Sequence, residues 1–181
     1  MNSPSGGKTT PSPLRFVWSL ANEQSSIALH QRRIREALRI TLADERVASC
    51  DLSVAVVTDA RIHEINRQFL AHDEPTDVIT FELAPPSRVA GVPLRPPGTP
   101  VRRGSALRLE GEIVVSAETA RRRAPEFGWT AHNELTLYLV HGVLHLCGYD
   151  DTSPSEVKVM RRRELEVLER LGLRPRAATT R

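Results

Sequence analysis

Aromatic residues are scarce, at 4% of the 181-residue chain, which argues against a broad stacking platform for unpaired bases. Cysteine is limited to Cys50 and Cys147, too few for a disulfide framework. Both flank apolar segments and are expected to be buried thiols. No apolar run approaches the ~18 residues of a membrane-spanning helix. The segment from Met1 to Lys8 is rich in Ser, Gly and Pro and lacks the apolar stretch of a secretory signal, so a cytoplasmic protein is expected. Charge of either sign is not extreme. The net charge is +3 and the pI about 9.3, which permits a nucleic-acid partner without requiring one.

What the chain does contain is 40% apolar and 26% charged residues, the balance of one globular domain. That domain is expected over 13–174, with a disordered tail at 1–12 and a short tail at 175–181. Leu14, Phe16, Trp18 and Leu20 alternate with other residues and predict a first strand. Ser26 is placed to cap a helix to about Leu42, with Ile27, Ile34, Leu38 and Leu42 on one side and Arg32, Arg35 and Arg39 mostly elsewhere. Leu52, Val54 and Val56 predict a second strand, and Asp59 the cap of a helix containing Ile62, Ile65 and Phe69. After a turn around Pro75, Val78 to Leu83 predicts a third strand.

Residues 84–104 hold six of the thirteen prolines and are expected to form an irregular insertion. Glu112 to Ser116 predicts the fourth strand, and a helix follows from Ala117 to the Pro125–Gly128 region. Residues 130–147 predict a helix apolar on all sides, hence a buried one, ended by a left-handed Gly148. Ser153, Pro154 and Glu156 form the opening of a last helix, complete with capping box, running to about Gly172. The order predicts a single α+β domain in which a four-stranded mixed sheet packs with about five helices.

The chemistry concentrates on the buried helix. His141 and His145 lie about one turn apart, so both imidazoles leave the same face and can reach one metal ion. The alternative is a pair of core histidines bonded to backbone. Burying two unpaired imidazoles costs roughly 2 kcal/mol or more each, a penalty that a metal would remove, so both readings stand at this point. Beyond Gly148 the chain turns back with Asp150 and Asp151. A carboxylate from that turn would complete two histidines and one acid with a position left for water, the ligand count of a catalytic zinc site. A solvated turn is the other reading of these aspartates. Position 142 is Gly, so the Glu of a His-Glu-x-x-His peptidase is missing. Gly142 also allows close approach of another backbone.

The run from His141 through Asp151 resembles the His-Gly-x-Leu-His-Leu-x-Gly-Tyr-Asp-His motif of the YbeY family. Asn66 to Phe81, with Asp73 and Pro75-Thr76-Asp77-Val78, is similar to a second family segment. Gly111 to Ser116 is similar to a third, and Met160, Glu164 and Leu171-Gly172 fit the family's ending. The resemblance spans about Leu14 to Leu173. It implies a single-strand-specific endoribonuclease with one zinc ion per chain, in a cleft between sheet and helices. It further implies action on ribosomal RNA, notably the 3′ end of the small-subunit RNA, and in ribosome quality control. On this resemblance the metal ligands are His141, His145 and Asp151, and no membrane is involved. No catalytic side chain is assigned beyond the zinc-bound water.

Two positions depart from the family pattern. Asp151 stands where the motif usually has His; Asp also ligates zinc but lowers the charge of the site. Leu70 stands where an Arg is usual, and Leu cannot donate to a phosphate oxygen. His72 replaces a common Lys. Arg102, Arg103, Arg108 and Arg121 to Arg123 are candidates to compensate, whereas Arg161 to Arg163 read as a solvated surface. The Leu70 departure supports an alternative: a catalytically weak RNA- or ribosome-binding assembly factor whose zinc is structural.

Overall fold

Alternation of apolar and polar residues produces four strands, and the computed structural model orders them as one mixed sheet, β1-β2-β4-β3. It describes residues 15–70, 73, 76–90 and 103–174. The tails and most of the Pro-rich insertion expected from the sequence lie outside these. β1 (Arg15–Asn22) and β2 (Ser49–Val57) run parallel, as do β2 and β4 (Leu107–Ser116), while β3 (Val78–Arg88) is antiparallel to β4. The helices are α1 (Gln31–Asp44), α2 (Asp59–Leu70), α3 (Ala117–Arg123), α4 (Ala131–Leu146) and α5 (Pro154–Arg170). This is the single-domain α+β architecture that the order of elements predicts.

One sheet face carries the main core. Leu52, Val54, Leu109, Ile113 and Val115 pack there with Ile34 and Leu38 of α1, Leu135, Leu139 and Val143 of α4, and Met160 and Leu168 of α5. Burial of each large apolar side chain contributes about 1.5–3 kcal/mol. The opposite face has a smaller cluster, Val57, Ile62, Ile79 and Val114, under α2. Cys50 and Cys147 are buried free thiols, as expected. Burial, reinforced by the charge of Asp51, pushes the Cys50 pKa up to about 12.

Several elements differ from expectation for local physical reasons. α1 starts at Gln31 with His30 at its cap, not after Ser26. The Gln24 side chain organises that stretch instead: its Oε1 accepts from Ser26 Oγ at 3.0 Å and from the Ile27 amide at 2.9 Å. The cap of α2 is Thr58, whose Oγ1 accepts the Arg61 amide at 3.2 Å. Asp59 turns away toward α3, where its carboxylate accepts from Ser116, Thr119 and Arg122. β3 extends through Pro85 and Pro86 into the segment expected to be irregular. It does so because it is the edge strand, with register shifts between Glu82 and Ser87 that relieve the missing amides.

Gly142 does admit a close neighbour, but the neighbours are side chains: a Cβ there would lie 2.9 Å from Ile113 Cγ2 and 3.1 Å from Thr80 Oγ1. The α5 capping box forms as the sequence predicts, with Ser153 and Glu156 exchanging bonds. Gly148 takes φ +87° after α4, in the left-handed region.

Arg163 overturns the solvated reading of its arginine run. Its side chain is 3% exposed and binds Glu45, which is 0% exposed, together with Asp44 and Glu166. Tyr149 Oη donates to the same Glu45 carboxylate at 3.1–3.2 Å. The cluster therefore joins the end of α1, the middle of α5 and the turn after α4.

Two stability outcomes follow. Arg163→Met leaves Glu45 buried without its cation and is expected to cost about 3–5 kcal/mol in urea unfolding; a loss below about 1 kcal/mol would show that the cluster holds nothing together. Burial works against the Asp59 carboxylate, yet hydrogen bonds from Ser116, Thr119 and Arg122 outweigh it and hold the pKa below its ordinary 3.8. A folded pKa below the unfolded one gives stability that is present above the unfolded value and lost as pH falls through the folded value. The stability difference between wild type and Asp59→Asn should thus be full at neutral pH and shrink below about pH 4.

Candidate metal centre

Helix α4 brings the two histidines together by its own geometry. Residues four apart stack one turn above another, and the rings of His141 and His145 meet edge to face with centroids 4.4 Å apart. Because the rest of α4 is committed to the core, polar partners for these rings have to come from other segments. His141 Nδ1 is 2.6 Å from Glu164 Oε1 on α5. His145 Nδ1 is 3.0 Å from the Tyr149 carbonyl in the turn beyond Gly148.

Both partners are acceptors, so both Nδ1 atoms carry the proton. In neutral rings the Nε2 atoms are then lone pairs, and they face each other at 2.8 Å. Two lone pairs at that distance repel unless a proton or a metal ion lies between them. Asp151 closes the third side, with its carboxylate oxygens 3.8 Å from His141 Nε2 and 3.7 Å from His145 Nε2. One donor atom from each residue lies within 4.8 Å of the other two, a spacing that fits a single ion. Donors on one tetrahedral zinc, with bonds of about 2.0–2.1 Å, stand roughly 3.4 Å apart. Two nitrogens and a carboxylate oxygen suit zinc and other borderline divalent ions alike.

The electrostatics divide the pair. Burial disfavours the His141 imidazolium, but the Glu164 hydrogen bond and charge outweigh it and raise the pKa. Burial and the neighbouring His141 lower that of His145. The two rings therefore differ in proton affinity, with that of His141 the higher. Asp150 is exposed and accepts the Asp151 amide at 2.8 Å, a turn role in keeping with its sequence reading.

The structure thus brings together His141, His145 and Asp151, the three residues singled out in the sequence, and adds two groups with no role assigned there. Glu164 was matched to a motif without a task. Its signal is position: a charged residue four after Met160 and four before Leu168, on the buried stripe of α5. The Tyr149 carbonyl has no sequence signal, since any residue supplies one. The turn holding it is pinned from outside by Arg103, which donates to the Gly148 carbonyl at 2.6 Å and lies 4.8 Å over the Tyr149 ring. The remaining compensating arginines are engaged elsewhere: Arg108 with Glu110, Arg122 with Asp59, Arg123 with Glu126. Arg121 is exposed on α3. Leu70 ends α2, while His72 and Arg102 lie outside the described residues.

His141 and Asp151 open onto a cavity of about 150 Å³ between the start of β3, α4 and α5, bounded by Asp77, Tyr138, Arg161 and Glu164. Pockets that engulf a small molecule run from about 300 Å³ upward. This one suits a projecting part of a larger substrate. Among the described residues, no helix is long and apolar enough to cross a membrane.

Comparison with known proteins gives concordant results. The family profile described as Endoribonuclease YbeY matches residues 19–172. A protein named Endoribonuclease YbeY from Pelotomaculum thermopropionicum is 37% identical over 139 residues, covering 77% of this chain and 84% of its own. One of the same name from Rhodopirellula baltica is 39% identical over 145 residues, covering 76% of this chain and 64% of its own. The solution structure of TM1509 from Thermotoga maritima aligns with 25% identity and a TM-score of 0.48, over 88% of this chain and 91% of that one.

Glu164→Ala removes the acceptor that fixes the His141 ring, and is expected to weaken divalent-ion affinity about 10–100-fold. Competition against a chromophoric chelator measures this. Unchanged affinity would show that Glu164 does not orient the ligand.

Proposed function

Since this chain belongs to the YbeY endoribonuclease family, we propose that it is a zinc-dependent endoribonuclease that cuts single-stranded RNA, its domain spanning residues 13–174. The substrate is ribosomal RNA, notably the 3′ end of the small-subunit RNA, with the small subunit as partner. The protein acts in the cytoplasm, in ribosome maturation and quality control. The observation that carries the reading is the paired Nε2 atoms of His141 and His145, whose Nδ1 atoms are already committed and which face Asp151 at the floor of a cleft. Membership of the family supports RNA as the substrate, and the small open cavity supports a polymer over a small molecule.

In this reading His141, His145 and Asp151 hold one zinc ion. When bound, the ion supplies Lewis acidity toward a phosphodiester and lowers the pKa of water toward about 7. The chain supplies the orientation. Glu164 and the Tyr149 carbonyl keep both Nδ1 atoms protonated, so both Nε2 atoms are free to ligate. Asp151 is the more exposed partner, 44% exposed on a turn, where His141 and His145 are 20% and 27% exposed on α4. Gly142, between the two histidines, contributes no base, which separates this site from peptidases that place Glu there.

With zinc supplied, purified protein is expected to cleave a labelled single-stranded RNA, and His145→Ala, while still folded by circular dichroism, is expected to lose both zinc and cleavage. RNA binding by wild type with no cleavage above the His145→Ala background would refute the nuclease reading and leave the assembly-factor role, with its structural zinc, in its place.

A further inference from the structure

We infer that Arg161 is the residue that positions the substrate phosphate in the metal cleft; this rests on the endoribonuclease reading above. Arg161 lies in the first half of α5, three residues before the buried Glu164, and it bounds the same cavity as His141 and Asp151. The three consecutive arginines have different fates: Arg162 is exposed, Arg163 is buried in its ion cluster, and Arg161 is half-buried at the cleft. Among the described residues Arg161 donates no hydrogen bond and forms no ion pair, whereas Arg163, about 200° further around the helix, is saturated by Asp44, Glu45 and Glu166.

Charge explains why a cation is needed there. Among the described residues, the cavity is bounded by three carboxylates, Asp77, Asp151 and Glu164, and by one guanidinium, that of Arg161. A divalent ion held by the histidines and Asp151 leaves one negative charge unbalanced if Arg161 is absent, and none if it is present. A phosphodiester carries a further negative charge and would be repelled by the first arrangement. Arg161 offers a planar fork of donors that matches phosphate oxygens, and no neighbouring carboxylate competes for it at ion-pair distance. It is a positioning residue by this argument, acting on the non-reacting oxygens of the substrate while the metal ligands do the rest.

The test compares wild type with Arg161→Gln and Arg161→Lys, using a labelled single-stranded RNA for cleavage and its 2′-O-methyl form for binding, with zinc per chain measured in each. Arg161→Gln is expected to keep its zinc and kcat, raise KM about tenfold, and make the salt dependence of binding shallower by about 0.7 in log–log slope. Arg161→Lys should recover part of the affinity, because it restores charge without the fork. Equal affinity and salt slope in wild type and Arg161→Gln would overturn the inference, as would loss of zinc from Arg161→Gln, which would make the residue structural. If wild type binds the RNA without cutting it, the nuclease reading fails, and the affinities for the 2′-O-methyl RNA still decide the role of Arg161. No RNA affinity in wild type overturns both.

Discussion

A helix that is buried on nearly every side but carries two imidazoles sets the terms for the whole domain. α4 cannot satisfy His141 and His145 from within, because its own backbone is spent on helical hydrogen bonds and its other side chains on the core. Each ring therefore draws its Nδ1 acceptor from a different segment, Glu164 of α5 and the carbonyl of Tyr149. Those two acceptors must be held to a few tenths of an ångström, or the imidazoles rotate and the Nε2 atoms no longer converge. The parts of the structure that look remote from the site are the parts that hold them. Arg163, buried against Glu45 and Asp44, fixes α5 on α1, and Tyr149, bonded to the same Glu45, fixes the turn. One anionic group at the end of α1 thus anchors both acceptors.

The sheet contributes through close approach. Gly142 lets α4 settle onto Ile113 and Thr80, and Gly111 on β4 leaves room for Leu146, where a Cβ would meet its methyl carbons at 2.7–2.8 Å. These two glycines press the C-terminal half of α4 against β4 and β3. At the start of the antiparallel edge strand β3, Asp77 and Val78 border the cavity.

Much of this was legible in the residues. The period-two alternation of β1 and β2, the apolar surround of α4, the Ser153–Glu156 box and the one-turn spacing of His141 and His145 are all local patterns, and local patterns survive folding. What could not be read depends on contacts between distant segments. Asp59 looks like a helix cap because capping is the commonest use of an Asp before an apolar stripe; the three donors that claim it, the α3 cap Ser116 and Thr119 and Arg122 of α3, are more than fifty residues away. Pro85 and Pro86 argue against a strand unless the strand is known to be an edge, and edge position is a property of the assembled sheet. The Arg161–Arg163 run reads as one surface feature, yet on a helix three consecutive residues point about 100° apart, so they meet three different environments.

The same geometry links the proposed ion and the proposed substrate through charge. Among the described residues, Asp77, Asp151 and Glu164 give the cleft an anionic lining against the single guanidinium of Arg161. Such a lining is unfavourable for phosphate, and the polymer is polyanionic along its length. A divalent ion on the two Nε2 atoms and Asp151 would neutralise this lining together with Arg161. Asp151 as a ligand, in place of a neutral group, would lower the positive charge left over for the substrate and make any cation nearby correspondingly more important. The acidic ligand and the half-buried arginine are therefore better understood together than separately: each shifts the cleft potential in the direction opposite to the other, and the balance between them decides whether the ion alone is enough to draw RNA in.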